Sequence, residues 1–423
     1  MEALSEETRE QLGRIGTANV VLGIPTFNNR ETIGRIAEAS LAALGNHLAS
    51  QSAVIVNADG ASKDGTPERL REVIGDKVPL LQVRYPMYPV RRLSAPLAGV
   101  PGRQEAAGSI FQLARQLGAG VCAVCDADLE NVTGEWIDRL VSPVLDDGID
   151  LVVPCYLRHK FDGMLNSGIV SPFLRALYGR RLRQPVGADL AFSAKLMDFY
   201  AGQENSNGDA PSLIDPWNTV PVIANGFRIG QTFLGPRAVH PREVAPDLSD
   251  TLRQVLATVF DPLERTAAFW QKVRGSEEVA WFGPPLEVNC DPAEINVKRM
   301  IDSFRLGCQD LAGIWNLVLP PATLLELRRM LRLPDTEFCF HDDTWARTVY
   351  DFALGYHLRA IGRDHLLQAM TPLYWGWVAS IVKELQEADS EQVEERLERL
   401  SRQFETQKRY LISRWRWPDR FSP

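Results

Sequence analysis

The stretch VCAVCDADLENVTGEWI, residues 121–137, decides the fold. Its first five residues are mostly apolar and have the length of a buried strand, and they run directly into Asp126-Ala127-Asp128. A helix signal follows at once. Because side chains alternate along an extended chain, Asp126 and Asp128 are expected on the same side. The stretch therefore predicts a strand that delivers two carboxylates to the edge of a sheet, where ligands of parallel sheets bind.

The first half of the chain repeats this alternation of strand and helix. Short apolar runs predict strands at 20–24, 53–57, 80–84, 121–125 and 151–156. Helical patterns lie between them near 30–44, 66–74, 103–117 and 134–145. The rhythm indicates an α/β domain with a mostly parallel sheet.

The pattern changes after about residue 246, where long amphipathic stretches with helical spacing dominate. We therefore predict an N-terminal helical extension at 1–17, an α/β domain at 18–245 and a mainly α-helical domain at 246–423.

Composition excludes several classes of protein. The chain has 423 residues, 45% hydrophobic and 24% charged, which is typical of globular domains. Its net charge of -8 argues against general nucleic-acid binding. The first ten residues lack the pattern of a signal peptide, the apolar run 366–382 is too interrupted to span a membrane, and the six cysteines are irregularly spaced. These features predict a cytoplasmic protein, with Cys122 and Cys125 as small core residues.

Polar turns follow three of the predicted strands. They read GIPTFNNRETIG (23–34), NADGASKDGTPE (57–68) and the Asp-x-Asp motif at 126–128. Each alone uses the ordinary vocabulary of turns, so a structural role is as good an interpretation as a functional one. Together, and in this order, they resemble the GT-A fold of nucleotide-sugar glycosyltransferases.

Three further segments narrow the resemblance. GIDLVVPCYLRHKFDG (148–163), RALYGRRLRQPVGADLAFS (175–193) and PRAVHPREVAPDLSDTLRQV (236–255), after the Asp-x-Asp segment, are similar to the retaining synthases of mannosylglycerate, glucosylglycerate and glucosyl-3-phosphoglycerate. In QPVGAD, Ala188 replaces the second glycine that is usual there. The resemblance covers roughly residues 18–260.

The resemblance implies a metal site and a catalytic set. Asp126, Asp128 and His240 would hold Mg²⁺ or Mn²⁺, hard cations that prefer oxygen ligands and neutralise a departing diphosphate. Asp128, Asp189, Asp215 and Arg103 would be the catalytic residues, with Asp189 contacting sugar hydroxyls and Asp215 lying near the acceptor hydroxyl.

The resemblance also implies a donor site for a UDP- or GDP-hexose. Its residues would be Pro25, Thr26, Asn28, Asn29, Asp59, Arg103, Asp126 and Ala127. Relatives often carry acidic residues where Asn29 and Arg30 stand, which leaves the ribose contacts open.

The acceptor argument starts from charge. Residues 156–183 contain six basic side chains and one acid, Asp162, within an acidic chain. Such a segment suits a small anion, although we expect at least half of these side chains to cover the surface or a helix end. The predicted acceptor residues are Arg158, Lys160, Asn166, Ser167 and Gly187, with free N–H groups at a helix start near 166–168.

The sequence thus predicts a metal-dependent retaining hexosyltransferase. It would move a hexose, glucose first, to D-glycerate or 3-phosphoglycerate, and the resemblance also implies a homodimer. The alternatives are mannosyl transfer, a larger glycan or lipid acceptor, and a non-catalytic sugar-nucleotide-binding protein. A nucleotidyltransferase is disfavoured, because the Gly-rich basic signature is missing after the first strand.

Overall fold

A computed structural model describes residues 6–46, 48–85, 100–203, 219–240, 247–286 and 288–417. The strands are β1 Val20–Thr26, β2 Ala53–Asp59, β3 Leu80–Arg84, β4 Val121–Val124, β5 Leu151–His159, β6 Arg180–Arg181, β7 Leu190–Ser193, β8 Ile229–Pro236, β9 Glu277–Glu278, β10 Ala280–Phe282 and β11 Val288–Asn289. The α-helices are α1 Glu6–Ile15, α2 Ile33–Gly45, α3 Thr66–Ile74, α4 Arg103–Gln116, α5 Gly134–Asp147, α6 Ser171–Tyr178, α7 Ala194–Gln203, α8 Thr219–Ala224, α9 Leu248–Phe260, α10 Ala267–Trp270, α11 Val297–Asp310, α12 Ala312–Val318, α13 Pro321–Met330, α14 Asp342–Leu358, α15 Arg363–Gln368, α16 Thr371–Leu385 and α17 Ser390–Arg416.

The chain divides into two compact units that interleave along the sequence. The first contains residues 1–157, 184–246 and 279–286, and the second contains 158–183, 247–278 and 287–423. The single boundary predicted after residue 245 differs from this division, because the chain enters the second unit at 158–183 and returns to the first at 279–286. Sequence periodicity does not reveal such excursions, since neither contains more than three short elements.

The first unit is built on one sheet with the order β10-β8-β5-β7-β4-β1-β2-β3. Strand β7 runs antiparallel to both β4 and β5, whereas the other neighbouring pairs are parallel. Every residue of β1 and β4 is buried, as expected for strands covered on both faces. This order confirms the predicted α/β class with a mostly parallel sheet.

The helix after the Asp-x-Asp motif is held close to its neighbour. Thr133 caps α5 by accepting a hydrogen bond from the N–H of Trp136. At Gly134 an added Cβ would lie 2.9 Å from the backbone nitrogen of Ala43, so only glycine permits this approach to α2. The contact helps to fix where the turn after β4 emerges.

The second unit is mainly helical, as predicted. Its longest helix, α17, begins with a capping box formed by Asp389 and Gln392. In the core of the second unit, the rings of Trp345 and Trp377 stack with centroids 5.2 Å apart, and Trp345 Nε1 donates to the carbonyl of Gly168. Gly168 belongs to a short π-helix, Asn166–Val170, that runs into α6.

The structure bears on two further sequence predictions, one about membrane-spanning segments and one about the paired cysteines. Among the described helices, none is long and apolar enough to cross a membrane. Cys122 and Cys125 are buried in the first unit, where desolvation raises the pKa of both thiols, so they are core residues.

Candidate functional site

The ends of β1 and β2 form a polar cluster in the first unit. The hydroxyl of Thr26 donates to Asp59 Oδ1 at 2.9 Å and accepts from Asn57 Nδ2 at 2.8 Å. Asp59 also accepts from the N–H and the hydroxyl of Ser62, at 2.8 and 2.6 Å. The Asp59 carboxylate is therefore held in one orientation at the carboxyl edge of the sheet, where ligands of such sheets bind.

The turn after β1 connects this cluster to the Asp-x-Asp motif. Asn28 has a left-handed backbone, with φ at 56°, and its N–H donates to Ser62 Oγ at 2.8 Å. Asn29 is buried, accepts from the N–H of Phe27 through Oδ1 and donates through Nδ2 to Asp128 Oδ1 at 2.5 Å. The short polar side chains that the sequence placed in the donor site thus fix the turn and orient Asp128.

Asp126 lies at the centre of a buried network. Its Oδ1 accepts from the N–H of Asp128 at 3.1 Å, and its Oδ2 is paired with Arg237 Nη2 at 2.5 Å. Its own N–H donates to Asp189 Oδ1 at 2.8 Å, and Asp189 Oδ2 accepts from the hydroxyl of Tyr156 at 2.6 Å. The Arg237 guanidinium lies 5.4 Å from the centre of the Tyr156 ring. Residues from four different segments of the chain therefore converge on one point.

Burial controls the protonation of this network. Asp189 is fully buried, and desolvation raises its pKa to about 6 even though the Arg237 charge and the Tyr156 hydrogen bond act in the opposite direction. The nearby Asp126 carboxylate adds to the increase. Desolvation acts to lower the pKa of Arg237, but interactions with Tyr156 and the surrounding carboxylates raise it overall, so the guanidinium keeps its charge.

His240 lies beside the motif without its ring facing it. The backbone N–H of His240 donates to the backbone carbonyl of Asp128 at 2.9 Å. Its Nδ1 lies 2.9 Å from Glu130 Oε1 and its Nε2 lies 3.0 Å from Glu31 Oε2. A backbone hydrogen bond therefore joins His240 to Asp128, while the imidazole is engaged by two glutamates.

The predicted metal ligands have the right chemistry but are not gathered as a ready-made cluster. Carboxylate oxygens and an imidazole suit Mg²⁺ or Mn²⁺. Within the described ranges, no group of three or more His, Cys, Asp or Glu side chains is arranged to hold a metal ion. The physical reason is that Arg237 neutralises Asp126, Asn29 binds Asp128, and His240 faces Glu31 and Glu130. The role of Asp126, Asp128 and His240 as ligands stays a prediction.

The remaining residues predicted for the donor site and for catalysis lie in different parts of the chain. Pro25 is buried in β1, and Ala127 is buried with its carbonyl accepting from the Thr32 hydroxyl at 2.6 Å. Arg103 is the first residue of α4, directly after Gly102 in a left-handed conformation. Asp215 lies outside the described residues.

Most predicted acceptor residues make structural contacts within their own unit. Lys160 is buried and its Nζ donates to the carbonyls of Gln386 and Ala388, at 2.8 and 3.0 Å. Arg158 lies in the part of β5 that pairs with β11. Gly187, in the first unit, is packed so closely on Pro154 that an added Cβ would lie 2.4 Å from its Cγ.

The expected free N–H groups at the helix start are not found there. The N–H groups of Asn166 and Ser167 both donate to the carbonyl of Gly163, at 2.8 and 3.2 Å. The chain continues from the π-helix directly into α6, so residues 166–168 are not an open helix N-terminus of the kind that binds anions. This correction removes one argument for an anion at Asn166 and Ser167.

Among the described residues, at least four of the six basic side chains of residues 156–183 are ion-paired within the second unit. Arg175 lies between Glu398 and Glu405. The other pairs are Arg180–Glu277, Arg181–Glu278 and Arg183–Glu394. Arg175 is buried, whereas Arg180 and Arg181 are partly exposed. The local excess of positive charge is therefore largely cancelled by acids that are distant in sequence.

Sequence reasoning missed two members of the site, Arg237 and Tyr156. Arg237 opens the segment RAVHPRE, in which the resemblance pointed to His240 as the metal ligand. Tyr156 ends the predicted fifth strand as an apparent core residue. The available signal was their position, because Arg237 directly follows β8 and Tyr156 lies in the carboxyl-terminal half of β5, towards the ligand-binding edge of the sheet.

The sheet order and the Asp-x-Asp at the end of β4 define this chain as an α/β protein with a polar site at the carboxyl edge of a mostly parallel sheet. No protein-family model and no curated protein sequence matches the chain. One similar solved structure is glucosyl-3-phosphoglycerate synthase from Mycobacterium tuberculosis in complex with Mn²⁺, UDP and phosphoglyceric acid, with 19% identity, a TM-score of 0.41 and coverage of 63% of this chain and 84% of that chain. The same enzyme with Mg²⁺ and UDP is 19% identical over 63% of this chain and 86% of that chain, with a TM-score of 0.40.

A mycobacterial protein is 20% identical to this chain. The matched region covers 63% of this chain and 80% of that protein, with a TM-score of 0.41. At these identities and TM-scores the likenesses assign no activity to this chain.

Proposed function

We propose that the protein is a metal-dependent glycosyltransferase that transfers a hexose from a nucleoside diphosphate donor to a small anionic acceptor. The observation that supports this most is the buried network of Asp126, Asp189, Tyr156 and Arg237 at the carboxyl end of β4. Buried carboxylates with one raised pKa at a ligand-binding sheet edge are typical of functional sites.

The donor nucleoside would bind at the ends of β1 and β2. Asp59 is oriented by Thr26 and Ser62, so it can accept hydrogen bonds from a base or ribose without reorganising. Asn28 and Asn29 shape the turn that would lie against it. The Asn29–Asp128 hydrogen bond would connect this nucleoside site to the Asp-x-Asp motif.

The reaction centre would be the Asp-x-Asp motif. Asp126 and Asp128, with His240, would hold a divalent cation, which when bound neutralises charge on the diphosphate leaving group. Arg237 supplies a positive charge beside the same carboxylates. Both oxygens of Asp189 already accept hydrogen bonds, which favours positioning of a sugar hydroxyl over covalent attack by this carboxylate.

The preferred acceptors are D-glycerate and 3-phosphoglycerate, and the preferred sugar is glucose, on the resemblance of the sequence motifs. UDP and GDP donors, mannose in place of glucose, and larger glycan or lipid acceptors are the alternatives. Retention of configuration comes from the same resemblance.

The decisive experiment measures release of nucleoside diphosphate by the purified protein with Mg²⁺ or Mn²⁺. UDP-glucose, GDP-glucose and GDP-mannose are each combined with D-glycerate, 3-phosphoglycerate or no acceptor. Acceptor-dependent release that stops with EDTA is the expected result, and the active pair names both substrates. Donor binding without acceptor-stimulated release would remove the glycerate acceptors from the proposal.

The ion pair between Arg237 and Asp126 favours a second candidate, a non-catalytic sugar-nucleotide-binding protein. A carboxylate already neutralised by a guanidinium does not need a cation. The same assay separates the candidates, because a binder releases no nucleoside diphosphate with any acceptor or metal, whereas an enzyme also hydrolyses donor slowly.

A further inference from the structure

Arg237 takes the place beside Asp126 where a cation would be expected. Its Nη2 lies 2.5 Å from Asp126 Oδ2, with side-chain exposures of only 17% for Arg237 and 2% for Asp126. The other oxygen of Asp126 accepts from the N–H of Asp128. Each oxygen of this carboxylate therefore already has a donor supplied by the protein.

The local charges make this pairing consequential. Asp126 and Asp128 flank the turn, and Asp189 lies directly beneath Asp126, to whose N–H it is hydrogen-bonded. Arg237 interacts electrostatically with all three carboxylates. A divalent cation that enters this site without moving Arg237 places like charges together in a poorly solvated environment.

We infer that Arg237 is a built-in counter-ion that a divalent cation must displace from Asp126, so that the cation and a nucleoside diphosphate bind cooperatively. The diphosphate supplies the negative charge with which the released guanidinium pairs. Without nucleotide, Arg237 remains on Asp126 and cation binding is weak. This inference rests on the proposed donor site and adds an order of assembly to it.

Linkage makes the inference measurable without turnover. If nucleotide releases Arg237 for the cation, nucleotide must tighten cation binding by the same factor by which the cation tightens nucleotide binding. Removing the guanidinium removes the competitor, so an Arg237→Met protein should bind cation more tightly than wild type when nucleotide is absent. The same protein should lose most of the cooperativity.

The test measures Mn²⁺ binding by the loss of the free Mn²⁺ signal in electron paramagnetic resonance. Wild type, Arg237→Met and Arg237→Lys are titrated with Mn²⁺ alone, with UDP and with GDP. Arg115→Met is the matched control, because Arg115 also pairs with an aspartate of the first unit, Asp198, at a mostly exposed position. Circular dichroism establishes that each variant is folded.

Arg237→Met is expected to bind Mn²⁺ alone at least about tenfold more tightly than wild type or Arg115→Met. One nucleotide should tighten Mn²⁺ binding to wild type by a similar factor and have little effect on Arg237→Met. Arg237→Lys keeps the charge and should behave like wild type. If the Met variant does not fold, the nucleotide dependence of Mn²⁺ binding to wild type still tests the inference, because its absence would contradict the proposed cooperativity.

Two results would overturn the inference. One contradicts only the role of Arg237, and the other also contradicts the proposed function. Equal Mn²⁺ affinity of Arg237→Met and Arg115→Met, with nucleotide-dependent binding intact in both, overturns the role of Arg237 alone. Absence of Mn²⁺ binding from every protein, with and without UDP or GDP, overturns the proposed metal dependence as well.

Discussion

Two buried aspartates, one in each unit, have nearly the same neighbours. Asp189 in the first unit accepts from the hydroxyl of Tyr156 and lies near Arg237. Asp351, in α14 of the second unit, accepts from the hydroxyl of Tyr410 at 2.7 Å and lies 3.4 Å from Arg414 Nε. Desolvation raises the pKa of Asp189 to about 6 and that of Asp351 to about 7, against the lowering effects of the arginine and the tyrosine.

The difference lies in what surrounds each trio. Asp189 also accepts the N–H of Asp126, which connects it to the Asp-x-Asp turn at the end of a strand. Asp351 lies in the middle of a helix, and its Oδ2 is buried without a hydrogen-bond partner in the described part of the chain. A raised pKa and an arginine partner are therefore common to both aspartates, and the connection to the ligand-binding edge of the sheet distinguishes the candidate functional one.

The largest expected effect comes from the Asp-x-Asp motif. Asp128→Ala should lower the rate of nucleoside diphosphate release by at least about 10²–10³-fold, because the leaving group loses electrostatic stabilisation. The rate is measured at saturating donor and acceptor, with circular dichroism to show that the fold is intact. Asp351→Asn is the matched control and should keep its rate near that of wild type. Equal losses of rate in Asp128→Ala and Asp351→Asn would mean that the connection to the sheet edge does not distinguish a functional aspartate from a structural one.

Asp189 should affect the pH dependence of the reaction. Its folded-state pKa of about 6 means that it gains a proton as the pH falls through that value, so wild-type kcat should decrease there. Asp189→Asn should have a kcat roughly 10²-fold lower, without an acidic limb near this pH. The measurement is kcat as a function of pH for both proteins. A limb that persists unchanged in Asp189→Asn must come from another group.

Asp351 should instead affect stability. Because its folded-state pKa is about 7, above the ordinary value of 3.8, the native protein holds a proton that the unfolded chain releases between these values. Stability contributed by this group is therefore present at low pH and is lost as the pH rises towards 7. From pH ~5 to ~8 the loss is on the order of 2–3 kcal/mol. Urea unfolding of wild type and Asp351→Asn at the two pH values tests this, since the variant should show a smaller decrease.

The sequence predicted the fold well because its signals are local. The five predicted strands overlap β1 to β5, and the Asp-x-Asp motif follows β4 as expected. The antiparallel β7 was not predicted, because four residues between a turn and a helix carry no distinctive period. Its position between β4 and β5 is nevertheless what brings Asp189 beside Asp126.

The site was predicted less completely because its contacts join distant residues. Asp126 and Asp189 were named from motifs, but Arg237 lies 111 positions from Asp126 and forms no local pattern with it. The ion pairs of the basic segment could not be predicted for the same reason. Glu394, Glu398 and Glu405, which pair with its arginines, lie more than 200 residues away along the chain.

The smallest expected effect separates those arginines from acceptor binding. Arg180 is paired with Glu277 on a partly exposed surface, with side-chain exposures of 40% and 77%. Arg180→Gln should change the free energy of unfolding by less than about 1 kcal/mol, because exposed ion pairs contribute little. It should also leave the KM for the anionic acceptor within about twofold of wild type, since the guanidinium is already used by a carboxylate. Urea unfolding and acceptor titrations measure the two quantities. A large increase in KM with unchanged stability would return the basic segment to the acceptor site, and it would mean that the second unit contributes charge to the reaction.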